Sequence, residues 1–128
     1  MDEPKLLSII EMGGYPDFSQ LYRAAGYQTE RVHSMRKAQA WLKNNRPAVV
    51  IAEFHFDPEL RDRMSNMESL LAGLQRYAPL AKVIVFIEKA HRGRLEKVRS
   101  RYRVDAALDY PIDQVSLATI LATFAEEG

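Results

Sequence analysis

Apolar positions fall into two alternating kinds of run: short uninterrupted ones suited to strands, and longer ones with helical spacing. Residues 6–12 (LLSIIEM) are the first strand-like run. Gly13, Gly14 and Pro16 break it, and Asp17 is placed to cap a helix, with Gln20 three residues on as in a capping box. Phe18, Leu21, Tyr22 and Ala25 then share one helical face, and Gly26 suits the stop. Residues 29–33 form a weaker second strand. Ser34 can cap the next helix, with Ala38, Trp41 and Leu42 inward; Asn45 ends it and Pro47 cannot continue it.

Residues 48–54 (AVVIAEF), through their first five positions, and 83–87 (VIVFI) are apolar without alternation, as expected for parallel strands covered on both faces. Between them, residues 55–65 read as a long loop, and Ser65 or Asn66 as the cap of a helix with Met67, Leu70, Leu71, Leu74 and Tyr77 inward. A basic helix over residues 89–103 follows, with Leu95, Val98 and Tyr102 as its buried stripe. Residues 106–108 make a short fifth strand. Pro111 and Asp113 open a last helix carrying Leu117, Ile120, Leu121 and Phe124.

Five strands alternating with five helices predict an α/β fold: a doubly wound, five-stranded parallel sheet in a three-layer sandwich. The expected strand order is 2-1-3-4-5, the flavodoxin-like arrangement. The functional crevice of such sheets lies at the carboxyl ends of the strands, here near residues 10–14, 53–57, 87–89 and 109–111.

A length of 128 residues suits one domain, with its core over about residues 5–124 and no output domain. The formal net charge is +1, so attraction to a polyanion would need a local patch. Cysteine is absent, which excludes disulfides, thiolate metal sites and thiol nucleophiles. No apolar run approaches a membrane span, and the start MDEPK lacks the basic, then apolar, pattern of a signal peptide. These features lead us to expect a soluble, cytoplasmic protein.

Four features in order carry a resemblance: AGYQT around Gly26-Tyr27, PAVVIAE ending on Glu53, RYAPLAKVIVFIE, and the dipeptide ending in Pro111. Over about residues 5–124 the chain resembles the receiver domain of bacterial two-component response regulators. The resemblance implies a phosphorelay-like signalling scaffold. In that family an aspartate ends strand three and accepts the phosphoryl group, and an acidic pair after strand one helps hold Mg²⁺. A Ser or Thr ends strand four, and a Lys precedes the proline after strand five.

Carried over position by position, the chain departs at each point. The acidic pair falls on Ile10 and Glu11, or on Glu11 and Met12; the phosphoacceptor falls on Glu53; the hydroxyl falls on Ile87; the lysine falls on Tyr110. The aromatic usual three residues before that lysine is Ala107. A phosphoryl group would lack its neutralising partners, so a degenerate, non-phosphorylatable pseudo-receiver is expected.

Other readings of these residues weigh less. Glu53 imitates a phosphorylated aspartate only if a cation and a hydroxyl read its charge, and both are missing. Glu53, His55 and Asp57 alternate and, with Glu11, resemble a metal-ligand set. Pro58 and the run ELRDR end the strand, so neither a metal nor a cofactor is expected. His33 and His91 are isolated, and Gly13-Gly14 lacks the rest of any phosphate-binding motif.

Residues 89–103 hold seven basic side chains, Lys89, Arg92, Arg94, Lys97, Arg99, Arg101 and Arg103, against one Glu. Acidic partners at i,i+4 are nearly absent, so repulsion is not locally offset. The expected function is therefore a signalling module that binds an acidic protein, or a second copy, through helix 4, strand 5 and helix 5. Nucleic acid is the less favoured partner, since the patch is short and no recognition motif accompanies it. Residues 54–67 read equally as a docking surface, through Phe56 and Met64, or as a lid. The rival class is a small flavodoxin-like enzyme or ligand-binding protein using the crevice around Glu11, Glu53, His55 and Tyr110.

Overall fold

A computed structural model describes residues 4–10, 17–54 and 62–127, the side chains of residues 54, 62–67 and 127 excepted. The elements run β1 (Lys5–Ile9), α1 (Ser19–Ala24), β2 (Gln28–Val32), α2 (Met35–Leu42), β3 (Val49–Phe54), α3 (Asp62–Tyr77) and β4 (Lys82–Ile87). A 3-10 turn (Lys89–His91), α4 (Arg92–Arg99), β5 (Ala106–Asp109) and α5 (Gln114–Glu127) complete the chain. All strand pairs are parallel, in the order β2-β1-β3-β4-β5. This is the doubly wound, flavodoxin-like topology expected from the sequence.

Period-two alternation in the sheet sends neighbouring residues into two separate cores. Leu6, Val49, Ile51, Ile84 and Phe86 join Phe18, Tyr22 and Tyr27 with Leu117 and Leu121 of α5. Leu7, Ile9, Val50, Val85 and Ile87 join Ala38 and Leu42 of α2, Leu70 and Leu74 of α3, and Leu95 and Val98 of α4. The uninterrupted apolar runs of β3 and β4 supply both cores at once, which is why they sit inside the sheet. β2 (QTERV) buries little besides Val32, as an edge strand should.

Several boundaries differ from expectation. The first strand ends at Ile9, short of Met12, and residues 11 and 12 lie outside the described ones. α3 begins at Asp62, inside the expected loop, because nothing between residues 62 and 72 breaks a helix. The basic helix is shorter than expected: a 3-10 turn precedes it and it stops at Arg99, leaving Arg101 and Arg103 in the connection to β5. α2 stops at Leu42 rather than near Asn45. Asn45 Nδ2 and Arg46 Nη1 donate to the carbonyls of Trp41 and Leu42, each at 2.9 Å, satisfying its last turn.

Local chemistry fixes the other ends. Ser34 Oγ accepts from Lys37 N at 3.1 Å, as its cap role requires. Asp113 Oδ2 accepts from Ser116 N at 3.3 Å and from Ser116 Oγ at 2.7 Å, opening α5. Phe18, not Asp17, holds the cap position of α1 and makes no side-chain cap bond, and Asp17 stands one residue before it. Asp17 Oδ1 accepts from Ser19 N at 2.9 Å, two residues on, with no return bond from Gln20 among the described residues. Gly26 ends α1 at φ +96°, a conformation that favours glycine. On α5, Thr119 and Thr123 hydroxyls donate to the carbonyls of Val115 and Thr119 at 2.8 and 3.0 Å. No residue of α5 before Glu126 is charged.

Candidate functional site

The carboxyl ends of β1, β3, β4 and β5 bring Ile10, Glu53, Ile87 and Tyr110 to one edge of the sheet. Glu11 lies outside the described residues, as do His55 and Asp57.

Glu53 is 2% exposed, and with Ser8 it is one of two polar or charged residues buried among the described ones. It pairs across the ladder with Phe86, and Phe54 pairs with Ile87. Ile87 is fully buried, in the core that α2, α3 and α4 cover. An aliphatic side chain with no solvent access thus occupies the position where the resemblance places a hydroxyl.

Tyr110 follows β5, and a cis peptide bond joins it to Pro111. Its backbone N donates to the Ile87 carbonyl at 3.0 Å, tying the two positions together. Its ring meets Phe86 edge-on, with centroids 6.3 Å apart and planes at 75°. Phe86 in turn meets Phe18 edge-on at 6.1 Å and 84°. A three-ring ladder therefore runs from α1 to the end of β5 beside Glu53. Phe18 and Phe86 carried only a core signal in the sequence, and nothing in their spacing marks the ladder. Burial also pushes the Tyr22 phenol on α1 well above its ordinary range, so it stays neutral.

Ile10 is half-buried, its N donating to Val32 O at 2.9 Å and its carbonyl lying 3.1 Å from His33 Nδ1. That contact places His33 at the end of β2, bonded to backbone. Among the described residues, no group of three or more His, Asp or Glu side chains could hold a metal ion. No described helix is long and apolar enough to cross a membrane.

The basic segment differs from its sequence picture. Part of its charge is offset by acids outside i,i+4 spacing, two of them from other elements. Arg92 Nε donates to Asp109 Oδ1 at 2.6 Å, joining the start of α4 to the end of β5. Arg99 lies 3.5 Å from Glu96 and donates to Val104 O, and Arg101 lies 3.9 Å from Glu68 of α3. Arg103 lies 3.5 Å from Asp105 and donates to the carbonyls of Pro79 and Ala81. Lys89, Arg94 and Lys97 are exposed on the outer side.

No protein-family model matches the chain, and no curated protein matches it in sequence. Solved structures do match. The signal receiver domain of an HD domain-containing protein from Pseudomonas fluorescens Pf-5 superposes with a TM-score of 0.77 at 17% identity, covering 98% of this chain and 97% of that one. The chemotaxis response regulator CheY4 of Vibrio cholerae gives 0.74 at 13% identity, covering 96% and 99%. A structure described as an adenylate cyclase from Rhodopirellula baltica gives 0.72 at 11% identity, covering 98% and 89%. The fold is that of response-regulator receiver domains.

Proposed function

We propose that this chain is a signalling module that kept the receiver frame without its phosphoryl chemistry and acts by docking to protein. The observation that carries the reading is the state of the strand ends. Ile87 stands fully buried at the hydroxyl position, and the Tyr110 ring, packed on Phe86, stands at the lysine position. A phosphoryl group built on Glu53 would bring excess negative charge to a buried place where Tyr110 stands at the position of the neutralising lysine.

The test is incubation with acetyl phosphate and Mg²⁺, read by intact mass and peptide mapping. The expected result is an unmodified chain. A stoichiometric acyl phosphate on Glu53 would overturn the reading.

Docking is assigned to the face of α4, β5 and α5. Lys89, Arg94 and Lys97 supply exposed positive charge there, while Arg92, Arg99, Arg101 and Arg103 shape the surface through their internal pairs. The fitting partner is an acidic protein surface or a second copy. Affinity capture should lose one specific partner when Arg94, Lys97 and Arg101 are changed to Glu. An unchanged set of partners would remove this face from consideration.

A further inference from the structure

We propose that the turn between α3 and β4 is a separate docking site for an acidic protein segment bearing one apolar anchor side chain. It rests on the docking reading above but not on the α4 face. A cavity of about 190 Å³ opens at this turn, walled by Leu71, Leu74, Ala78, Ala81 and Val83. Apolar cavities of roughly 150 Å³ already hold a benzene-sized group, whereas drug-sized ligands need roughly 300 Å³ or more. The space therefore suits a single Leu or Phe side chain.

Two features beside the cavity point to a protein ligand. Leu80, between the lining residues Pro79 and Ala81, is 86% exposed. Arg103, also lining the cavity, holds the turn on both sides of Leu80: Nη2 donates to Pro79 O at 3.1 Å and Ala81 O at 2.6 Å. The exposed leucine is thus presented on a fixed backbone, which lowers the ordering cost of binding. An apolar anchor beside an apolar cavity is the centre of a protein contact. Phosphate backbones gain nothing from either feature.

The surrounding charge selects an acidic segment. Arg76 and Arg46 lie 5.3 and 5.9 Å from the Tyr77 ring at the end of α3, next to the cavity wall. Arg103 is 49% exposed. Asp105, two residues from the cavity-lining Arg103, is engaged by Arg103 and by Val83 N at 2.7 Å. Arg46 and Arg76 at Tyr77 and Arg103 on the cavity wall give this end of α3 positive charge, and Asp105 beside Arg103 is already in use.

The test is titration of the ¹⁵N-labelled protein with a synthetic peptide holding a central Leu between runs of Asp and Glu. Counterpart peptides carry Ala for the Leu, or Asn and Gln for the acids. Amide shifts are expected at Leu74, Ala78, Leu80, Ala81 and Val83, with each counterpart binding at least about tenfold more weakly. Leu80→Ser, and separately Arg76→Glu, alter exposed side chains and should each weaken the peptide by about tenfold while the rest of the spectrum is kept.

Absence of shifts would overturn the site, as would shifts confined to the region of Arg94 and Lys97. So would displacement of the peptide by a DNA duplex. None of these outcomes touches the acetyl phosphate test, so failure here and failure of the underlying reading are told apart.

Discussion

Replacing Ile87 by Val and by Thr tests whether the strand ends are closed. Ile87 is fully buried at the end of β4. Ile→Val removes one methylene and costs about 0.5–1.5 kcal/mol in a packed core. Thr has nearly the shape of Val but adds a hydroxyl, and burying an unpaired hydroxyl costs about 1–3 kcal/mol more. Ile87→Thr should therefore lose about 2–4 kcal/mol, a large part of a typical total of about 5–15. With a urea dependence of about 2 kcal/mol per M, its midpoint should fall about 1 M below that of Ile87→Val. Equilibrium urea unfolding, followed by circular dichroism and by Trp41 fluorescence, measures both. If Thr matches Val within about 0.5 kcal/mol, the hydroxyl has found a polar partner or water. The strand ends would then be an open polar crevice, and the closed reading fails.

Ser34→Ala removes the cap of α2 and should cost about 1 kcal/mol, lowering the melting temperature by about 3–5 °C; an unchanged melt would mean Lys37 N is satisfied otherwise. Asp17 and Asp113 are held below the ordinary carboxylate range, chiefly by the Ser19 and Ser116 hydroxyls. The unfolded chain thus binds more protons as the solution turns acid, so their contribution is present above about pH 4 and is lost as pH falls through the lower native value. Asp17→Asn and Asp113→Asn should flatten that acid limb in pH-dependent melts; a limb as steep as the parent's counts against the assignment. The Arg92–Asp109 pair is only partly exposed, so a double-mutant cycle with Arg92→Gln and Asp109→Asn should give a coupling of at most about 1 kcal/mol that shrinks in high salt. A coupling that salt leaves untouched would mean the pair holds α4 to β5 by packing instead.

The sequence carried the sheet well because β3 and β4 are apolar at every position from Val49 to Ala52 and from Val83 to Ile87. Only a strand covered on both faces reads that way. It carried the caps at Ser34 and Asp113 because capping is a local contact. It failed where partners come from afar. Arg92 and Arg101 looked unneutralised because Asp109 and Glu68 reach them through the fold rather than along a helix face. The start of α3 was hidden for another reason: its first turn, DRMS, has no apolar stripe to set a period. The ring ladder and the cavity at the α3–β4 turn are likewise products of convergence. Phe18, Phe86 and Tyr110 lie on three elements, and the cavity needs α3, β4 and Arg103 together.

The threonines of α5 have a further consequence. Their hydroxyls turn back to the helix's own carbonyls, and the exposed surface from Val115 to Ala125 carries nothing ionisable. Whatever settles on that flank gains little from counter-ions and titrates with nothing. Its grip would follow the hydration of methyl groups and weaken in the cold. The arginine-ringed turn, by contrast, loosens as brine thickens. Temperature and ionic strength thus address two different sides of the same small molecule.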